Sequence, residues 1–401
     1  MIIPHDKFCV LPWVSLEASP VGTVRPCCLA EDEIRNNSGQ KFELATATFS
    51  AVQSSDYMRD LRYQFLLSQK PDTCRKCWNE EDAGRTSKRM HTLDRLKHML
   101  DDSTWTTAAK PLMFLDLKLG NICNLKCRIC GSWSSSQFAV EEIRHSTLGQ
   151  REYHTIMLKK GAWPRENIQF WAEIDGIVDQ IRYIEFTGGE PFMIQEHFDM
   201  LQSIVDRGIA HQVEIHYNTN GTQWPESAEQ IWQHFRVVEI AFSIDDVGER
   251  FEYQRTNAVW ADVEVNLDRF RELRSRHSNI QLQVCSTVNI FNVWHLEELV
   301  KWIDMQDFDF IYWNLLHQAR YFSVSALPKK AKALAQQRLE TATVRDFHRR
   351  EFDRICDFMM AGTSMTAKEI SEQIRRLDQR RGQNLREVIW ELAESLEYET
   401  N

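Results

Sequence analysis

The chain has 401 residues, 43% of them hydrophobic and 26% charged, enough to bury a substantial core without covalent staples. Its 48 Lys and Arg stand against 58 Asp and Glu, a formal charge of -10, so no overall basic field draws in a long nucleic acid. Pro4, His5, Asp6 and Lys7 interrupt the start where an export signal needs an apolar run, and no stretch reaches the ~20 apolar residues of a membrane helix. A cytoplasmic protein with no membrane partner is expected. In that reducing setting the ten cysteines are expected to bind metal or do chemistry rather than pair.

In chain order, residues 1–100 hold five of the ten cysteines in polar, strand-poor sequence and read as a small metal-dependent module. From Met113 the texture changes. Strands are expected at Met113 to Leu119, Arg182 to Phe186, Val213 to Asn218, Val238 to Ile244, Ile280 to Val288 and Phe310 to Leu315. Helical spacing falls between them, at Trp133 to Arg144, Gln195 to Asp206, Ser227 to His234, Val263 to Arg276 and Leu296 to Asp304. Strands alternating with helices predict right-handed crossovers and parallel neighbours, hence an α/β fold built as an incomplete barrel over residues 111–320. Such barrels collect their chemistry at the C-terminal strand ends. A helical insertion is expected over about 145–179, where Trp163 and Trp171 are candidates to hold a peptide or, more simply, to fill core. A helical extension without strands follows over 321–401.

The loop leaving the first barrel strand reads Gly120-Asn121-Ile122-Cys123-Asn124-Leu125-Lys126-Cys127-Arg128-Ile129-Cys130, three thiols in the spacing C-x3-C-x2-C. A structural zinc site recruits four ligands, typically as two separated pairs, so a compact set of three fits zinc poorly. Three thiolates suit a 4Fe-4S cluster with one iron left open. The second strand ends in Thr187-Gly188-Gly189-Glu190-Pro191, and the fourth in Ser243-Ile244-Asp245-Asp246. The cysteine spacing, with Gly-Gly-Glu one βα unit later, resembles the radical S-adenosylmethionine (SAM) superfamily.

That resemblance implies a partial (β/α)6 barrel whose cluster, on Cys123, Cys127 and Cys130, binds SAM through its open iron and cleaves it reductively to a 5'-deoxyadenosyl radical. It further implies that Gly188, Gly189 and Glu190 receive the SAM amino group, with Ser243 and Asp245, sharing one strand face, on the ribose hydroxyls and methionyl carboxylate. Ile129 and Val288 are expected beside adenine; Asn218, Asn220 and Arg255 are further candidates. Ser243 and Asp245 also suit a helix cap, Ile129 suits core, and Cys285 reads as a small buried hydrophobe. The reading assigns Cys28 and Cys356 no role. Asp246, Glu249 and His216 are available near strand ends as acids or bases.

A second set comprises Cys9, then Gly22 followed four residues on by the vicinal Cys27 and Cys28, then Cys74 and Cys77. Its order resembles the twitch module, the short relative of the SPASM domain, placed here ahead of the barrel. The resemblance implies an auxiliary 4Fe-4S cluster on Cys9, Cys27, Cys74 and Cys77, with Cys28 as the alternative to Cys27. Four thiolates also satisfy structural zinc. A cluster saturated by four cysteines would accept or relay an electron rather than bind substrate.

Taken together, the resemblance implies an iron-sulfur oxidoreductase that abstracts hydrogen from a peptide, protein or small molecule, fed by a donor such as flavodoxin or ferredoxin. Two other readings compete: a nucleotide or nucleic-acid modifying enzyme on the same barrel, and a non-catalytic zinc or iron-sulfur scaffold.

Overall fold

The computed structural model describes residues 3–82, 86–97, 100, 104–165, 167–317 and 319–398. The fold is α/β, an eight-stranded and mostly parallel sheet with helices, as the strand-helix alternation predicts. The chain divides into two compact units, one of residues 1–122, 142–217 and 225–238, the other of residues 123–141, 218–224 and 239–401.

The first unit carries β1 (Ser15–Ala18), β2 (Val24–Arg25), β3 (Phe114–Lys118), β4 (Tyr183–Thr187) and β5 (Glu214–Thr219), in the order β2-β1-β3-β4-β5. Only β1 and β2 run antiparallel; β1 lies parallel to β3, β3 to β4 and β4 to β5. The N-terminal sequence, read as strand-poor, therefore contributes two strands. They were illegible because β1 is four residues long and carries Ser15 and Glu17, polar side chains that the fold nevertheless buries.

Register explains the two faces. One row aligns Leu16, Leu115, Ile184 and Ile215 and another aligns Ala18, Leu117, Phe186 and Tyr217, all fully buried. Because side chains alternate along a strand, the row between them points the other way. That row is Glu17, Asp116, Glu185 and His216, with Arg25 opposite Glu17. One face is hydrocarbon and the other is charged.

The insertion is helical, as expected, in segments Leu148–Lys160 and Ile168–Ile177. Trp163 is 8% exposed and meets Phe170 edge-on at 4.8 Å, so it serves as core rather than as an exposed peptide-binding side chain. Phe170 in turn meets Phe49 at 5.9 Å, joining the insertion to helix Phe49–Gln53.

The second unit carries β6 (Val237–Phe242), β7 (Ile280–Val288) and β8 (Phe310–Leu315), with helices Gly248–Gln254, Trp260–Arg276 and Leu296–Asp304 between them. β7 alternates buried and half-buried residues along its nine positions, and β8 pairs parallel with it from Gln283–Phe310 to Val288–Leu315. The extension is helical at Lys329–Thr341, Asp346–Ala361 and Ala367–Arg381, followed by two short helices. Thr366 and Glu369 close a capping box at the start of Ala367–Arg381, and Gly382 ends it in the left-handed conformation at φ 63°. This fixes the helix that carries Asp378. No described helix is long and apolar enough to cross a membrane.

Candidate functional site

In the second unit, the cysteine loop is shaped by bonds to its backbone. Ser136 Oγ lies 3.2 Å from both the amide N and the carbonyl O of Cys123, and Ser135 Oγ donates to Leu125 O at 2.5 Å. Lys126 N–H and Arg128 N–H donate to Thr256 O at 3.1 Å and Gln254 O at 2.8 Å. The sulfurs receive donors as well. Leu125 N–H lies 3.4 Å and Asn220 Nδ2 3.8 Å from Cys123 Sγ, and Arg255 Nη1 lies 3.8 Å from Cys127 Sγ. The hydrogen bond from Cys127, the leading influence, holds the Cys130 thiol below its ordinary range, while the same bond and burial push Cys127 up. Three neighbouring thiols, two of them supplied with N–H donors, form a donor set that fits an iron-sulfur cluster.

Between Cys127 and Cys130 in the chain, Arg128 is 1% exposed. Its Nε donates to Tyr253 O at 2.8 Å, its guanidinium lies 3.6 Å from the Tyr253 ring centroid, and its Nη2 bonds Asp378 and, at 2.9 Å, Gln383. Asp378 also accepts from Tyr253 and Tyr398 hydroxyls and Leu385 N–H, each at 2.9 Å. Arg381 bonds Glu141, which Lys126 also meets at 2.7 Å. The C-terminal helices, which showed no chemistry in sequence, thus anchor the cysteine loop.

β6 ends at Phe242, so Ser243 and Asp245 follow the strand instead of sharing a strand face as expected. Asp245 is 1% exposed: its Oδ2 accepts from Arg255 Nη2 at 2.7 Å and Nε at 3.1 Å, and its Oδ1 from Thr287 N–H at 2.7 Å. Asp246 accepts from Arg250 Nε at 3.0 Å and Val247 N–H at 2.9 Å, and burial pushes its carboxyl up to about 7. Ile129 is half-buried and Val288 fully buried. Cys285 is half-buried with Asn314 Nδ2 3.2 Å from its sulfur, a polar contact and not the apolar burial its strand suggested.

In the first unit, Gly188 (φ 113°) and Gly189 pack backbone against backbone. A Cβ on Gly188 would stand 2.8 Å from Gly120 O, and one on Gly189 would stand 2.2 Å from Ile122 O. Glu190 N–H donates to Ile122 O at 2.8 Å, while the side chain, 1% exposed, accepts from Phe192 N–H at 3.2 Å. The glycines therefore let two strand-end loops meet, the second of them ending just before Cys123. Asn218, near the end of β5 and counted with the second unit, is half-buried.

The N-terminal set is also in the first unit. Cys9, Cys27, Cys74 and Cys77 influence one another electrostatically, and burial, the largest cause, raises all four thiols, Cys77 to about 11. Cys28 sits among Lys88, Asp116, Glu185 and Lys118, the first two of which also act on Cys27. Among the described residues, no three or more His, Cys, Asp or Glu side chains converge closely enough to hold a single metal ion.

The charged row beside Cys28 was missed in sequence. Lys88 Nζ lies 2.8 Å from Glu185 and 3.6 Å from Asp116; Lys118 bonds Glu17 and lies 3.6 Å from Asp116, and Arg25 grips Glu17 through Nε and Nη2, each at 2.8 Å. The signal was available: Asp116 and Lys118 sit at alternate positions of an otherwise apolar strand, an arrangement that costs stability unless partners face them.

Residues 117–305 match the family model described as Radical SAM superfamily, so this stretch of the chain is similar to a radical SAM domain. No curated protein matches it. Among solved structures, "Native anSMEcpe with bound AdoMet" is 16% identical, with 66% of each chain covered and a TM-score of 0.38. The same protein with AdoMet and the Cp18Cys peptide is 17% identical over 58% of this chain and 59% of that one, TM-score 0.35. Streptococcus suis SuiB bound to precursor peptide SuiA is 10% identical over 82% and 66%, TM-score 0.34. In each case the chain spans just under two thirds, or less, of the other protein's length.

Proposed function

We propose that this protein is a radical SAM oxidoreductase that takes a hydrogen atom from a peptide, protein or small molecule and passes the remaining electron to a second cluster. Cys123, Cys127 and Cys130 hold the SAM-binding 4Fe-4S cluster, and Cys9, Cys27, Cys74 and Cys77 hold the auxiliary one. When bound, the first cluster supplies the electron that splits SAM into methionine and a 5'-deoxyadenosyl radical. Glu190 accepts the SAM amino group, Ser243 and Asn218 offer polar contacts to ribose and carboxylate, and Ile129 and Val288 border adenine. Asp245 serves this site through Arg255.

The observation that carries the reading is the loop of three thiols, two of them supplied with N–H donors, within the matched stretch. For the auxiliary site, the mutual influence of Cys9, Cys27, Cys74 and Cys77 supports Cys27 over Cys28 as ligand. A flavodoxin or ferredoxin is the expected donor.

The test is reductive SAM cleavage by anaerobically reconstituted protein, followed as 5'-deoxyadenosine. The wild type is expected to form it. Persistence of that product after Cys123, Cys127 and Cys130 are all replaced by Ala would falsify the assignment. Iron, sulfide and zinc content tests the second site: about eight iron per chain supports two clusters, and about four iron with one zinc makes the N-terminal set structural.

A further inference from the structure

Arg255 is 8% exposed and follows helix Gly248–Gln254, with its backbone N–H bonded to Phe251 O at 2.8 Å and its guanidinium 5.7 Å from the Phe251 ring centroid. One edge of the planar guanidinium, Nε and Nη2, is taken by a single oxygen of Asp245 at 3.1 and 2.7 Å. The remaining arm, Nη1, reaches Cys127 Sγ at 3.8 Å. Asp245 is itself fixed, its other oxygen by Thr287 N–H at 2.7 Å and its carbonyl by Asn292 Nδ2 at 2.9 Å. The arginine thus has one orientation open to it, and that orientation aims an N–H at a cluster ligand.

A buried Arg–Asp pair alone is a structural element. What sets this one apart is the sulfur at its third corner. Cys123 takes its donors from neutral groups, the Leu125 amide and the Asn220 carboxamide, while Cys127 takes one from a permanently charged guanidinium. N–H donors and net charge around thiolate sulfur are among the factors that set an iron-sulfur potential, because reduction adds a negative charge that they stabilise.

We infer that Arg255, oriented by Asp245, is a positioning residue that sets the reduction potential of the cluster on Cys123, Cys127 and Cys130, making that cluster easier to reduce. The inference rests on the cluster assignment proposed above and deepens it. Asp245→Asn would keep an amide oxygen to hold the guanidinium, as Asp245 Oδ2 does, while removing the negative charge that offsets it. Replacing Arg255 and replacing Asp245 should therefore shift the potential in opposite directions. A merely structural pair would not give that pattern.

The experiment poises full-length protein anaerobically at a series of fixed potentials and reads, by EPR, the reduced fraction of the signal that changes when SAM is added. Arg255→Gln should lower the reduced-to-oxidised ratio about tenfold at fixed potential, equivalent to about 59 mV for one electron. Arg255→Lys, which keeps charge but loses the fork, should lower it less. Asp245→Asn should raise it. Iron content is measured on every sample, so a wild type without a SAM-responsive signal defeats the cluster assignment and this inference together, whereas an iron-replete Arg255→Gln protein with an unchanged ratio overturns this inference alone. Should Arg255→Gln lose its iron, Asp245→Asn decides: a raised ratio supports the assignment, and an unchanged or lowered one overturns it.

Discussion

The two cysteine sets differ in how the chain treats their sulfurs. In the C-x3-C-x2-C loop, side chains distant in sequence reach in to donate to sulfur, one of them a charged guanidinium, and Arg128 pins the loop to Asp378. At the N-terminal set local amides approach sulfur, Leu11 N–H at Cys9 and Leu29 and Ala30 N–H at Cys27, distant Lys88 and Arg89 act on Cys27 and Cys74, and burial raises every thiol. Three thiols would leave one iron of a four-iron cluster open and so suit chemistry. Four thiols would leave no position for substrate and so suit an electron store. Under the proposed assignment, ligand count is what would separate the two cluster roles.

The largest expected effect comes from exchanging the sets. Removing Cys123, Cys127 and Cys130 should abolish 5'-deoxyadenosine formation, whereas Cys9→Ala with Cys77→Ala should remove about four iron and stop substrate oxidation while SAM cleavage continues. If both variants lose SAM cleavage with their folds intact, the division of labour is wrong.

Next in size are changes at the contacts that shape the loop approaching Cys123. Gly189→Ala places a methyl 2.2 Å from Ile122 O, and the backbone must move; denaturant unfolding should show a loss of roughly 3 kcal/mol. Asp378→Asn takes a carboxylate from a buried arginine and should cost roughly 2–4 kcal/mol while speeding iron release to a chelator. Iron release from this variant at the wild-type rate would show that the C-terminal helices do not hold the loop.

The smallest effects are those of pH, and they differ in sign between the units. In the first unit, burial lowers His197 from 6.5 to about 3; its ring nitrogens lie 3.1 Å from the Tyr217 hydroxyl and within hydrogen-bond reach of Ile194 O. Its folded value is depressed, so its contribution is complete above pH 6.5 and is lost as pH falls toward 3. In the second unit, burial raises Asp246 from 3.8 to about 7, so its contribution is complete below pH 3.8 and is lost as pH rises through 7. Urea unfolding between pH 4 and 7.5 should therefore show His197→Phe flattening the acid-side loss and Asp246→Asn flattening the opposite slope.

Much of the barrel was legible because its strands are apolar runs between turn signals. Ile280–Val288 and Phe310–Leu315 fall at the expected bounds, and helices Gln195–Asp206 and Leu296–Asp304 do likewise. β1 was not legible, since a buried Glu17 is tolerable only beside Arg25 and Lys118, partners that lie in other strands. The cysteine spacing and Gly-Gly-Glu could be read directly. Sequence could not say which vicinal cysteine joins its set, because Cys27 and Cys28 differ only in where the folded backbone aims them. Nor could it show that Asp245 acts through Arg255, since the two are ten residues apart and meet only after helix Gly248–Gln254 has turned the chain.

The central claim is that two clusters of different role occupy the two cysteine sets, and EPR of the reduced full-length protein before and after adding SAM tests it most directly. The account predicts two four-iron signals, of which one changes with SAM and is missing from the protein lacking Cys123, Cys127 and Cys130. A spectrum in which SAM alters no signal, or in which the altered signal survives that triple replacement, contradicts it.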